Sequence, residues 1–110
     1  VQTCALPIST SLRREFKFSI LVPAADYYPQ AGAEEQVLLQ GVVDCCFETL
    51  EGITVVDFKT DRVDRRSVAA RAEEYRPQLA AYSRALEEIT GKPVIRRCLW
   101  FFALDQAVDV

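Results

Sequence analysis

The chain has 110 residues, half of them hydrophobic, a size that suits one domain with one modest core. A net charge of −3 argues against a stand-alone nucleic-acid binder, which is usually basic, though not against an enzyme whose nucleic acid is delivered by a partner domain. The absence of histidine removes every histidine-based catalytic device from this chain, and no apolar run approaches membrane-spanning length, so no membrane association is expected.

In chain order, residues 1 to 12 show no clear period, and ALPIS (5–9) is also what a common sequencing adapter would encode. This segment is expected to be unstructured or an assembly scar, with the domain running from 13 to 110. REFKFSILVP (14–23) alternates, with Phe16, Phe18 and Ile20 on one face and Glu15 and Lys17 on the other, which predicts a strand. Residues 24–35 hold Pro29 and Gly32 among small and charged residues and read as a loop. QVLLQGVVDCCFETL (36–50) is apolar at both parities, which predicts a central strand covered on both faces. Glu51 and Gly52 make a turn, and the β-branched ITVVDFK (53–59) is a second arm.

The period then changes. Alanine, arginine and glutamate dominate 61–91, and Pro77 suits a first helical turn. The expectation is a short helix over 66–75, a break, and a second helix over 77–90 closed by Gly91, with Leu79, Tyr82, Ser83, Leu86 and Ile89 facing inward. Residues 92–105 begin with a turn and become strand-like, and AVDV (107–110) suits a further short strand. The order β-β-β-α-β implies an α/β or α+β domain with a mixed sheet and helix against one face.

Four cysteines are present, but Cys45 and Cys46 point to opposite faces of a strand, and neither Cys4 nor Cys98 forms a CxxC pair with them. Small buried hydrophobes in a reducing cytosol is a better reading than a zinc or iron–sulfur site.

The informative anomaly is a charge in each arm of the hairpin. Asp57 and Lys59 share a side of their strand with Ile53 and Val55, and Asp44 shares a side with Val42, Cys46 and Glu48. Asp44 and Asp57 lie about equally far from the turn, so they can be cross-strand neighbours, roughly 5 Å apart at Cβ. Two carboxylates that close repel unless a cation sits between them, and a hard divalent ion takes such oxygen ligands while leaving room for phosphate. Lys59 would then supply a fixed cation where charge builds on phosphorus. Asp57 and Lys59 alone would fit a solvated ion pair of little consequence; Asp44 amid apolar residues fits that reading poorly.

Together, GVVD (41–44), VVDFKTD (55–61) and YRPQLAAYSRAL (75–86) resemble the PD-(D/E)xK nuclease superfamily, and more closely its RecB-like branch, in which a GxxD strand and a DxK strand precede a helix bearing QxxxY. Over about 13–110 the chain looks like the C-terminal nuclease domain of the AddA family, one of the two components of AddAB helicase-nucleases. The resemblance implies a restriction-endonuclease-like core and hydrolysis of DNA phosphodiesters during recombinational repair. It implies that Asp44 and Asp57 ligate Mg²⁺ or Mn²⁺, with the backbone carbonyl of Phe58 as a further ligand. Lys59 would act on the attacking water or the phosphate, and Gln78 and Tyr82 would position substrate or Lys59. The implied partners are DNA, as single-stranded ends, and an AddB-type protein, in the cytoplasm. ATP would be used only by helicase domains, and no GxxxxGK[ST] occurs here.

The departure from the family is a missing first helix, which in the RecB-like branch carries a metal-binding histidine. The chain therefore reads as a fragment of a longer one, expected to bind metal weakly and cleave poorly by itself. A catalytically silent module for DNA binding or subunit docking is the competing reading, and the intact Asp44, Asp57 and Lys59 argue against it. Arg62, Arg65, Arg66 and Arg71 could meet a DNA backbone, but Asp61, Asp64, Glu73 and Glu74 are interleaved with them, and a salt-bridged solvated face is the expectation.

Overall fold

The computed structural model describes residues 11–110, so the expectation for residues 1–10 lies outside the described residues. Strand β1 (Ser11–Pro23) begins three residues ahead of the expected strand (14–23) and ends in a single 3₁₀ turn, Ala24–Asp26. It is followed by β2 (Gln36–Glu48), β3 (Ile53–Lys59), helix α1 (Val68–Thr90), β4 (Val94–Phe101) and β5 (Gln106–Asp109). The five strands form one sheet in the order β1-β2-β3-β4-β5. β1, β2 and β3 are an antiparallel meander; β4 returns parallel to β3 after the α1 crossover, and β5 pairs antiparallel with β4. This is the mixed α/β core expected, and its smallest dimension of 19 Å fits two layers, one sheet and one helix.

The hairpin turn is set by Gly52, whose φ of 151° and backbone contact leave no space for a side chain: a Cβ there would lie 2.6 Å from the Pro93 carbonyl oxygen. β3 is the central strand, and Ile53, Thr54, Val55 and Asp57 are all buried. Between β3 and α1 the core holds Val43, Val55, Leu79, Ala85, Leu86, Leu99 and Phe101, each at most 1% exposed.

Three local expectations are corrected. First, one continuous helix replaces two, with Pro77 inside it. An interior proline costs roughly 3 kcal/mol against alanine and frees the carbonyl four residues before it. Pro77 is exposed, so that carbonyl can be hydrated, while Val68 and Ala72 before it and Leu79 and Tyr82 after it are buried on the same side. Burial on both sides of the proline holds the two halves in line. Gly91 closes the helix as expected, at φ 72°, its N–H bonding the Glu87 carbonyl at 2.9 Å. Ile89 is the one exception to the predicted inward face: it lies near the helix end and is 47% exposed.

Second, β2 is not covered on both faces: Leu38 and Val42 are exposed. Third, its apolar residues at both parities reflect a switch of parity along the strand. Val43 and Cys46 both belong to the core, although strict alternation puts them on opposite faces. The β1–β2 ladder is regular on either side but skips the pair Glu15 and Asp44, and Glu15 adopts φ 50°. The left-handed residue turns both strands over at this point, so Asp44 does not share one face with both Val42 and Cys46.

Candidate active site

The β2–β3 register pairs Cys45 with Val56 and Cys46 with Val55; one step further, it sets Asp44 opposite Asp57. At that step Asp44 Oδ2 accepts a hydrogen bond from the Phe58 N–H at 2.9 Å, in place of a ladder bond. Asp57 is 3% exposed, on the strand that pairs with the one carrying Asp44. Burial and then the Asp44 contact push the Asp57 carboxyl up to about 6, while Lys59 acts in the opposite direction. The strand register thus sets the two acids opposite each other on adjacent strands.

Lys59 lies on the same face. Its Nζ is 2.7 Å from Asp57 Oδ2 and donates a hydrogen bond to Gln78 Oε1 at 2.9 Å. Gln78 Nε2 in turn donates to the Tyr82 hydroxyl at 2.9 Å. The i, i+4 spacing aligns Gln78 and Tyr82 along one face of α1, aimed at the end of β3. Burial, followed by the charges of Asp57 and Asp44, holds the Tyr82 hydroxyl above its ordinary value. Tyr82 also meets Phe18 edge to face, with centroids 5.8 Å apart. Gly41 makes this packing possible: a Cβ there would sit 3.0 Å from the Phe18 ring and 3.3 Å from the Tyr82 ring.

Phe58 points away from the acids, 44% exposed, and packs against Phe102 at 5.8 Å between centroids. Only its backbone faces the site, and the observed contact is its N–H to Asp44.

A second group around Lys59 was not singled out from the sequence. The Tyr75 ring lies 3.9 Å from the Lys59 ammonium. Its hydroxyl donates to Asp61 at 2.8 Å, and Arg71 Nη1 donates to the same carboxylate at 2.7 Å. Partial burial pushes the Asp61 carboxyl up, but the bonds from Tyr75 and Arg71 outweigh it and hold it below its ordinary value. Tyr75 precedes Gln78 by three residues and Tyr82 by seven, so one helical stripe supplies all three; that spacing was the available signal.

The donor set suits a hard divalent cation. Two carboxylates lie opposite each other on adjacent strands, and Lys59 pairs with one of them. Among the described residues, no group of three or more His, Cys, Asp or Glu side chains forms a metal site, so further ligands would be backbone, water or another segment. Of the cysteines, Cys45, Cys46 and Cys98 are free, and Cys46 and Cys98 are buried as expected; Cys4 lies outside the described residues. No helix among the described residues is long and apolar enough to cross a membrane.

Comparison with known proteins agrees with this geometry. Residues 6–108 match the family model of the PD-(D/E)XK nuclease superfamily. The chain is 43% identical over 91 residues to the A-type subunit of the ATP-dependent helicase/nuclease of Desulforudis audaxviator, covering 81% of this chain and 7% of that protein. It is 41% identical over 100 residues to the protein of the same name from Listeria welshimeri, covering 86% and 8%. For Ruminiclostridium cellulolyticum the values are 39% over 106 residues, covering 93% and 8%. The chain thus spans less than a tenth of the length of these relatives, within which it corresponds to a nuclease domain. By its family match, its mixed sheet and its similarity to the A-type subunits of helicase/nucleases, the chain belongs to the PD-(D/E)XK nuclease superfamily.

Proposed function

We propose that this domain hydrolyses DNA phosphodiester bonds with a divalent metal ion, as the exonuclease module of a longer ATP-dependent helicase/nuclease acting in recombinational repair of double-strand breaks. The observation that carries the reading is the register that sets Asp44 opposite Asp57, with Lys59 Nζ 2.7 Å from Asp57.

Asp44 and Asp57 would hold Mg²⁺ or Mn²⁺, with the Phe58 carbonyl as a further donor. Once bound, the ion supplies Lewis-acid polarisation of the phosphate and of the attacking water. The chain's own residues do the rest. The Phe58 N–H fixes the Asp44 carboxylate. Gln78 Oε1 holds the Lys59 ammonium from the helix side, and the Tyr82 hydroxyl holds Gln78. Lys59 thereby presents a preorganised positive charge to a phosphate approaching the two acids. Gln78 and Tyr82 are positioning residues in this scheme.

DNA ends, single-stranded after unwinding, would be the substrate, and an AddB-type protein the partner; ATP would be consumed by helicase domains outside this chain. Three free thiols suit a reducing compartment such as the cytoplasm.

The test uses the longer helicase/nuclease chain with single-stranded DNA and Mg²⁺. Asp57→Ala and Lys59→Ala should each slow cleavage by a factor on the order of 100 or more while unwinding persists. Wild-type cleavage rates in both variants would end the proposal, and a wild type that binds DNA without cutting it would favour the silent docking module.

A further inference from the structure

Strand β3 runs directly into a turn, TDRVDRRS (60–67), in which two acids alternate with three arginines. If these charges cancelled, the segment would be a neutral solvated surface. The structure separates them. Asp61 is occupied by the Tyr75 hydroxyl and Arg71 Nη1. Asp64 is turned onto its own backbone: its Oδ1 accepts from the N–H groups of Arg66 and Ser67, each at 2.9 Å. Its own N–H donates to Ser67 Oγ at 3.0 Å. Further along, Glu73 pairs with Arg76, and Glu74 pairs with Arg71. Every interleaved acid is engaged elsewhere, while Arg62, Arg65 and Arg66 are exposed and have no carboxylate partner among the described residues.

The turn that carries them is pinned in three places. Val63 is 9% exposed and sits in the core. The Asp64–Ser67 pair closes the turn with reciprocal side-chain bonds, a capping arrangement that leads into α1. Asp61 ties its start to Tyr75, whose ring covers the Lys59 ammonium. The three guanidinium groups are thus carried on a fixed turn that begins one residue past Lys59, on a chain that is otherwise acidic.

We propose that Arg62, Arg65 and Arg66 form a docking surface for the phosphodiester backbone of a single DNA strand, continuous with the Asp44–Asp57–Lys59 site. The choice of DNA rests on the nuclease reading above. Guanidinium groups match phosphate oxygens in fork geometry, and a rigid turn lowers the ordering cost of each contact. The surface reads backbone charge and carries no base preference.

The experiment measures fluorescence anisotropy of a labelled oligothymidylate of about 20 nucleotides, longer than the ~4–16 that one single-strand site covers. The 110-residue chain is titrated in Ca²⁺ over a series of salt concentrations. Each phosphate contact to single strands contributes about 0.7 to the slope of log affinity against log salt. The triple variant Arg62→Gln/Arg65→Gln/Arg66→Gln should therefore lose about 2 from the slope, and Arg65→Gln alone about 0.7. Arg96→Gln, at the opposite end of the β3–β4 pair, should leave the slope unchanged. An unchanged slope in the triple variant, an equal loss from Arg96→Gln, or no binding by the wild type would overturn the proposal. So would a polyglutamate peptide that binds as tightly as the oligonucleotide, which would point to an acidic protein. Cleavage of the same oligonucleotide in Mg²⁺ is read separately. With cleavage read on the longer helicase/nuclease chain, a slope loss without wild-type cleavage removes the nuclease reading and leaves this surface, whereas cleavage with an unchanged slope does the reverse.

Discussion

Asp57 makes the site's electrostatics measurable without DNA. Its carboxyl is raised from 3.8 to about 6, first by burial and then by Asp44. The folded state therefore binds the proton more tightly than the unfolded chain. For a raised carboxylate, ionisation opposes folding: the penalty is fully present above the folded value and vanishes as pH falls below the unfolded one. About two units at 1.36 kcal/mol each is a penalty of ~3 kcal/mol at neutral pH, relaxed between roughly pH 6 and pH 4. Asp57→Asn removes the titration. It also leaves Lys59 with Gln78 and Tyr75 but no carboxylate, so a comparison at one pH would mix two effects. The change with pH isolates the acids. Urea denaturation of the wild type and Asp57→Asn across about pH 4 to 7.5 should show the wild type losing up to ~3 kcal/mol relative to the variant as pH rises. Because Asp44 and Asp57 interact, the curve reports on the pair. Parallel stability curves would refute the reasoning. Adding Mg²⁺ near pH 7.5 should stabilise the wild type and not the variant, since the ion would take the place the proton vacates.

Tyr75→Leu removes the ring beneath the Lys59 ammonium and should reduce cleavage about 3- to 30-fold, the equivalent of a cation–π contact of ~0.7–2 kcal/mol, whereas Tyr75→Phe keeps the ring and should retain most activity; single-turnover kinetics separate the two. Gly41→Ala places a methyl 3.0 Å from Phe18 and 3.3 Å from Tyr82, and should destabilise the domain by ~1–3 kcal/mol, read by thermal melting, with cleavage falling as Tyr82 and Gln78 shift. Glu15→Gly relieves a left-handed residue at φ 50° and should raise stability by ~0.5–1 kcal/mol, while Glu15→Val should lower it; equal melting temperatures for the two would contradict the strain.

The register that sets Asp44 opposite Asp57 was legible because it depends on a turn whose position Gly52 announces. The Gln78–Tyr82 pair was legible from the helical period. Pro77 misled because local propensity was read without the packing that overrides it: Val68 and Ala72 bury on the same sheet as Leu79 and Leu86. The apolar run of β2 misled for a different reason. A strand that changes its inward parity at Asp44 has the same composition as one buried on both faces, and only the φ of Glu15 tells them apart. The link of Tyr75 and Asp61 to Lys59 escaped notice because it depends on which face of α1 meets the end of β3, a tertiary fact. The free arginines were hidden by their acidic neighbours, whose partners lie elsewhere in the fold.

Asp57 also bears on why the site exists at all. A buried ion pair of structural origin would bring its acid well below the usual value, and hydrophobic replacement of such pairs is often neutral or stabilising. Here the carboxyl stays near 6 although Lys59 Nζ lies 2.7 Å away. The lysine does not overcome burial and the neighbouring acid. A penalty of ~3 kcal/mol is a large share of the ~5–15 kcal/mol that holds a small domain folded. On stability alone, valine would serve at 57, as it does at Val55 two residues earlier on the same face. The sheet is further disturbed at Glu15 and Asp44 at the step that sets the second acid opposite the first. The disturbance lets both Val43 and Cys46 reach the core, a packing gain that the buried Asp57 carboxyl lacks. Under the proposed function, a cation held between Asp44 and Asp57 would offset the Asp57 penalty, which is the outcome the Mg²⁺ addition reads.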